Sequence, residues 1–169
     1  TEALEAIYTM AHSGGKFNDK TYQNVAGMNG IGAKGTALSS DYFKVISERD
    51  SARATLILEK GIKKDFILEK NIAKNHGTYV EFVPSQEVYN LEPVHIDFEE
   101  VKKMCRDWSY LCKGITFRLF NHITDEEVIY LSKNGLLDLM EECGGNALNK
   151  TPLHIEVEEG GIKAELVME

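Results

Sequence analysis

Residues 13–40 read SGGKFNDKTYQNVAGMNGIGAKGTALSS, and the rest of the chain is understood outward from them. The first part, 13–30, holds Gly14, Gly15, Gly27 and Gly30 with Asn18, Asn24 and Asn29, and few aliphatic residues. A polar segment of that length is a long loop, and such loops are usually functional or mobile. From Gly30 the pattern turns helical. Ile31, Ala37 and Leu38 are spaced to face a core, and Gly32, Ala33 and Gly35 are small enough for close packing. A glycine-bearing loop that runs straight into a helix start has a defined chemistry. The first-turn amides lack intrahelical acceptors, and the helix dipole places about half a positive charge there. Glycines let a ligand reach the backbone. The combination makes an anion site, for which phosphate is the usual occupant, and Lys16 could add a charge to it. A plain glycine-rich connector with a solvated Lys16 has the same composition, so composition alone leaves both readings open.

Two phosphate motifs nearly match. The P-loop needs Gly-Lys followed by Ser or Thr, but Lys16 is followed by Phe17 and Lys34 by Gly35. The dinucleotide fingerprint G-x-G-x-x-G is present as Gly30 to Gly35, with Asp50 twenty residues beyond Gly30. That fingerprint must follow directly on a buried apolar strand, and here a polar loop precedes it.

The flanks are regular. Residues 3–12 place Leu4, Ile7, Tyr8 and Ala11 at helical spacing. Strands are expected over 42–49, 53–59, 62–68 and 78–83, in the simplest case as an antiparallel meander. In the fourth, Val80 and Phe82 share one face. Residues 97–113 predict a helix, with Asp97 and Glu100 as a capping box and an apolar stripe of Phe98, Val101, Cys105, Trp108 and Cys112. Lys102, Lys103 and Arg106 form a basic cluster that reads as a solvated face. Gly114 stops the helix, and Ile115, Phe117 and Leu119 alternate as a strand. After a break at 121–125 come a strand at 126–131, a helix at 134–143, and a hairpin of 153–158 with 162–168 around Gly160-Gly161.

The 169 residues are 43% hydrophobic with a formal net charge of −8. That supplies a core, argues against disorder, and makes a generic basic DNA-binding module unlikely in itself. No apolar run is long enough to span a membrane. Glu2 and Glu5 stand where a cationic leader would be, so the expected location is cytoplasmic. Cys105, Cys112 and Cys143 are odd in number and match no metal spacing. On one helix, Cys105 and Cys112 would lie about 10.5 Å apart, too far for a disulfide, so reduced core thiols are expected.

The segment from His12 to Ser39 resembles the ATP lid of the B-type subunits of type II DNA topoisomerases, the family that takes in gyrase B and its counterpart in topoisomerase IV. The family pattern H-A-G-G-K-F, a tyrosine, G-L-H-G-V-G-A and N-A-L-S is met by His12 to Phe17, Tyr22, Gly27 to Ala33, and Thr36 to Ser39. Gly77-Thr78 with its strand ending at Pro84 resembles G-T-x-V-x-F-x-P-D. Phe98 to Gly114 resembles the R-x-x-A-F-L-N-K-G helix, and Lys133 to Leu136 the glycine-rich start of a second helical unit. Asn29 stands where the bacterial enzymes usually have His.

The resemblance implies an α+β fold: part of a Bergerat-type (GHKL) ATPase sandwich with an antiparallel sheet, followed by the start of an S5-like transducer. Residues 1–121 would belong to the ATPase and 122–169 to the transducer. Gly27, Met28, Asn29, Gly30, Ile31, Gly32 and Ala33 would wrap the phosphates of ATP. Tyr22 would lie near the nucleotide, Lys16 in the lid and Thr78 near the adenine pocket. The general-base Glu, the magnesium-holding Asn, the adenine-reading D-x-G-x-G and the γ-phosphate Lys have no counterparts in the sequence. The chain thus reads as a middle piece, inactive alone, with no catalytic residue of its own. In the parent, ATP would close two B-type subunits and drive strand passage, with DNA and the A-type subunit as partners. Uncovered sheet should leave an apolar patch prone to self-association. The alternative is a small non-enzymatic protein that holds an anion or nucleotide on the glycine loop.

Overall fold

The computed structural model describes residues 2–10, 31–90, 95–144, 151–160 and 162–168. It divides into two compact units, 1–94 and 95–169.

The first unit is built on four antiparallel strands: β1 (Ser40–Arg49), β2 (Ala52–Glu59), β3 (Ile62–Glu69) and β4 (Gly77–Pro84). Two-residue turns set the first registers. Asp50 and Ser51 both have positive φ, as do Lys60 and Gly61, which is the backbone that matches strand twist in a tight hairpin. Arg49 therefore pairs with Ala52, and Glu59 with Ile62. The sheet order is β3-β2-β1-β4, which corrects the expected meander. β4 returns past two strands to pair with β1, setting Val80 against Val45 and Phe82 against Phe43. Three strand spacings are about 14 Å, and the seven residues 70–76 span up to about 23 Å, so the return is within reach. It puts the apolar β1 and β2 in the middle. The charged β3, with Lys63, Lys64 and Asp65, becomes an edge.

Period-two alternation sends Phe43, Val45, Leu56 and Leu58 to one face, where they are fully buried with Ala37. Two helices cover that face: α1 (Glu2–Thr9), through Leu4 and Tyr8, and α2 (Gly32–Leu38), through Ala37. The Tyr8 ring lies 5.2 Å from that of Phe43. The cover stops short of the sheet edges. Leu68, Val80 and Phe82 point to the same face as the core, yet each is more than two-fifths exposed. A short helix, α3 (Gln86–Tyr89), follows β4, and the Tyr89 hydroxyl is 2.8 Å from Ser39 Oγ at the end of α2.

In the second unit Asp97 caps α4 (Phe98–Leu111), its side chain accepting from the Glu99 amide at 2.9 Å. The buried positions are Cys105 and Ser109, with Phe98 and Val101 half-buried, whereas Trp108 and Cys112 are exposed. The expected stripe is corrected after Cys105: a spacing of four carries it to Ser109. Trp108 still stands 6.3 Å from the Phe117 ring. The three cysteines are free thiols, but only Cys105 is in a core. Two of the three basic residues, Lys102 and Arg106, are ion-paired rather than simply solvated. Lys102 Nζ meets Glu99 at 2.5 Å and Glu126 at 2.9 Å, and Arg106 approaches Asp107 and Glu142, each at 3.5 Å.

Residues 122–125 turn β5 (Phe117–Asn121) back onto β6 (Glu126–Tyr130), so the two strands pair directly across the break in the sequence pattern. α5 (Leu136–Cys143) follows. β7 (Leu153–Glu159) and β8 (Ile162–Met168) form the expected hairpin. Among the described residues no helix is long and apolar enough to cross a membrane.

Candidate functional site

α2 begins at Gly32, two residues after the sequence pattern turns helical at Gly30. Ile31 is its N-cap, in helical conformation, with no side-chain cap. The first helical hydrogen bond runs from the Gly35 amide to the Ile31 carbonyl at 2.7 Å. The amides of Gly32 and Ala33 precede it and have no acceptor within the helix. Gly32 and Ala33 are both exposed, and a side chain built on Gly32 or Gly35 would meet nothing within 4 Å. That corrects the close-packing expectation: these glycines border open space, which is what a backbone open to a ligand requires. Ile31 and Leu38 are likewise 55% and 46% exposed, so of the three expected core positions only Ala37 is one. Lys34 is buried within the helix's first turn.

Thr78 is the second residue of β4 and pairs with Ser47 of β1. It shares a face with Val80 and Phe82, the face on which α1 and α2 lie. The helix start and Thr78 are therefore on the same side of the sheet. Lys16, Tyr22, Gly27, Met28, Asn29 and Gly30 lie outside the described residues.

Thr78 also lines an open cavity of about 410 Å³ with Ile46, Glu48, Arg53, Asn75, Gly77 and Tyr79. Ile46, Glu48, Arg53 and Tyr79 project from the face of the sheet opposite α1 and α2. Arg53 Nε donates to Glu48 Oε1 at 2.6 Å, a cross-strand pair partly shielded from solvent. The Tyr79 hydroxyl donates to Glu81 at 3.3 Å, and the Glu81 charge raises the phenol's pKa. The arrangement supplies hydroxyls and an ion pair beside Ile46 and the Tyr79 ring. Glu48 and Arg53 were not singled out from the sequence. The signal was available, because the two-residue turn Asp50-Ser51 forces positions 48 and 53 opposite each other.

The chain is 29% identical over 176 residues to the DNA gyrase B protein of Haloferax volcanii, covering 99% of this chain and 27% of that protein. It is 30% identical over 135 residues to the B-type subunit of DNA topoisomerase 4 from Francisella tularensis, covering 79% and 21%. It is 27% identical over 169 residues to the B-type subunit of the type 2 topoisomerase of Aquifex aeolicus, covering 99% and 21%. No family model matches. Among solved structures it resembles the 43K ATPase domain of Thermus thermophilus gyrase B in complex with an aminocoumarin, with a TM-score of 0.74 at 19% identity, covering 96% of this chain and 40% of that one. It also resembles the topoisomerase IV ATP-binding domain of Francisella tularensis in complex with a small-molecule inhibitor, with a TM-score of 0.73 at 25% identity, covering 97% and 42%.

The fold is thus α+β of the GHKL ATPase class, with its antiparallel sheet carrying helices on one face. Within that class the chain is a relative of the B-type subunits of type II DNA topoisomerases over nearly its whole length, and it spans about a quarter of theirs.

Proposed function

We propose that this chain is the lid-bearing ATPase portion and the start of the transducer of a type II topoisomerase B-type subunit. In that enzyme, ATP binding closes two such subunits and hydrolysis accompanies passage of one DNA duplex through another. The observation that carries the reading is the shared side of the sheet. The open start of α2 and the Thr78 hydroxyl both lie on the helix-bearing face of a GHKL-class fold.

The donor set fits a nucleotide in part. Main-chain amides at Gly32 and Ala33 suit phosphate oxygens, and the Thr78 hydroxyl suits the polar edge of a base. Lys16, Tyr22, Gly27, Met28, Asn29, Gly30 and Ile31 complete the proposed contact set. Bound ATP would supply the phosphoanhydride. This chain's residues hold and orient it, and the reading assigns neither general base nor magnesium ligand among them. Residues 1–121 take the ATPase role and 122–169 the transducer role. DNA, the A-type subunit and a second B-type subunit are the proposed partners, and the cytoplasm the proposed location.

A chimera tests this. The matching segment of a B-type relative is replaced by this chain, and binding of a non-hydrolysable ATP analogue is measured with ATP-dependent DNA relaxation. Binding that weakens at least about tenfold in Thr78→Ala, with relaxation lost in parallel, supports the reading. A chimera with a cooperative melt and no analogue affinity overturns it.

A further inference from the structure

The β7–β8 hairpin carries a cluster independent of the nucleotide reading. Glu156 stands directly opposite Glu165, and His154 opposite Val167. Alternation places His154 and Glu156 on one face of β7 with Glu165 beside them, while Leu153, Ile155 and Val157 take the other face. Two carboxylates directly opposite each other destabilise a hairpin unless a cation is drawn between them. His154 Nε2 lies 3.0 Å from Glu165 Oε1 and 3.6 Å from Glu156 Oε1. One donor atom from each of the three residues lies within 4.8 Å of the other two. Lys113 Nζ already approaches Glu156 Oε1 at 3.2 Å, so a protein ammonium has been attracted to the same place.

We propose that His154, Glu156 and Glu165 form a binding site for a divalent transition-metal ion of the zinc or nickel kind. The imidazole distinguishes the cluster from an ordinary acidic patch. Nitrogen with carboxylate oxygen suits zinc and nickel, whereas calcium and magnesium take oxygen ligands. Ligand bonds of about 2.0–2.2 Å at tetrahedral or octahedral angles put neighbouring donors about 3.0–3.5 Å apart. The two His154–carboxylate separations lie close to that range. The ladder fixes the backbone spacing, so closure onto an ion needs only side-chain rotation. Glu156 and Glu165 shed their mutual repulsion on the ion, and water fills the remaining positions. Lys113 competes for Glu156 and is displaced by the ion.

The metal-stripped 169-residue chain is titrated with zinc and, separately, nickel by calorimetry in a non-coordinating buffer. One saturable site is expected. His154→Ala should weaken it at least about tenfold, as should Glu165→Gln. Lys113→Met should tighten it. Zinc should raise the melting midpoint of the parent chain and leave that of His154→Ala unchanged. Because the cysteines can also take zinc, the variant comparison decides. An affinity unaltered in both His154→Ala and Glu165→Gln, or no saturable heat in the parent chain, overturns the assignment. Glu165→Gln keeps the test valid if the alanine variant fails to fold.

Discussion

Ser132 Oγ donates to Asp138 Oδ2 at 2.7 Å while accepting the Gly135 amide at 2.8 Å, so one buried hydroxyl ties the loop before α5 to the first turn of that helix. The Lys133 and Asn134 amides add donors to Asp138 Oδ2 at 3.1 and 3.0 Å, and Asn134 Nδ2 donates to Oδ1 at 2.7 Å. Four donors converge on one carboxylate.

They hold the Asp138 carboxyl at about 2, below its ordinary value of 3.8, with the Ser132 hydrogen bond the largest cause. Between those values the unfolded chain binds the proton more readily than the folded chain. The stability this contributes is complete above the ordinary value and is lost as pH falls through about 2. Asp138→Asn places an amide donor among donors, so it should destabilise the second unit near neutral pH. It should also flatten the acid limb. Denaturant melts of both proteins taken from about pH 6 to about pH 2 check this. Parallel curves would contradict it.

Gly135 sits at φ 67 and ψ −124, a backbone region that side chains avoid, and a Cβ there would stand 3.1 Å from the Tyr110 carbonyl oxygen. Strain and collision act together against backbone atoms that cannot move aside. Gly135→Ala should cost about 1–3 kcal/mol. Urea unfolding measures it, and a loss below about 0.5 kcal/mol would show the loop free to relax.

The β1–β2 turn offers the opposite experiment. Asp50 and Ser51 hold φ of 51 and 64, and Ser51 has no side-chain preference for that region. Ser51→Gly should stabilise the first unit by about 0.5–1 kcal/mol, the relief of left-handed strain outweighing the extra entropy of glycine in the unfolded chain. A thermal melt lowered by the change would refute the turn assignment.

Local chemistry was legible in the sequence wherever short-range rules decide. Asp97 announced the α4 start, Val80 and Phe82 announced the facing of β4, and Gly160 the last hairpin. Long-range pairing was not. Nothing local to residues 77–84 says that they pair with β1 rather than β3, because both partners offer an alternating strand. The α4 stripe failed after Cys105 for a similar reason: Trp108 is the more apolar residue, but the turn of the helix brings Ser109 inward and leaves Trp108 and Cys112 exposed. At the candidate site, the glycine pattern placed the helix start at Gly30, two residues before the observed start at Gly32. The ion pair of Glu48 with Arg53 needed the register, which only the turn conformation sets.

The uncovered part of the helix-bearing face yields the last prediction. Leu68 on β3 and Val80 and Phe82 on β4 point the same way as the buried Val45 and Leu56, yet lie at both margins of the cover provided by α1 and α2. Among the described residues β3 and β4 each pair with a strand on one side only, which leaves the outer backbone groups of both as edges. Apolar surface of this kind beside open edges favours association of like chains. The chain should therefore sediment as a concentration-dependent mixture rather than a single species. Phe82→Glu places a charge at a site already 43% exposed, so it should spare the fold while shifting the mixture toward monomer. Added salt should not reverse that shift if lost apolar contact is its cause, since salt screens charge repulsion but not apolar association. A parent chain that stays monomeric over a hundredfold concentration range would show that the margins are self-sufficient.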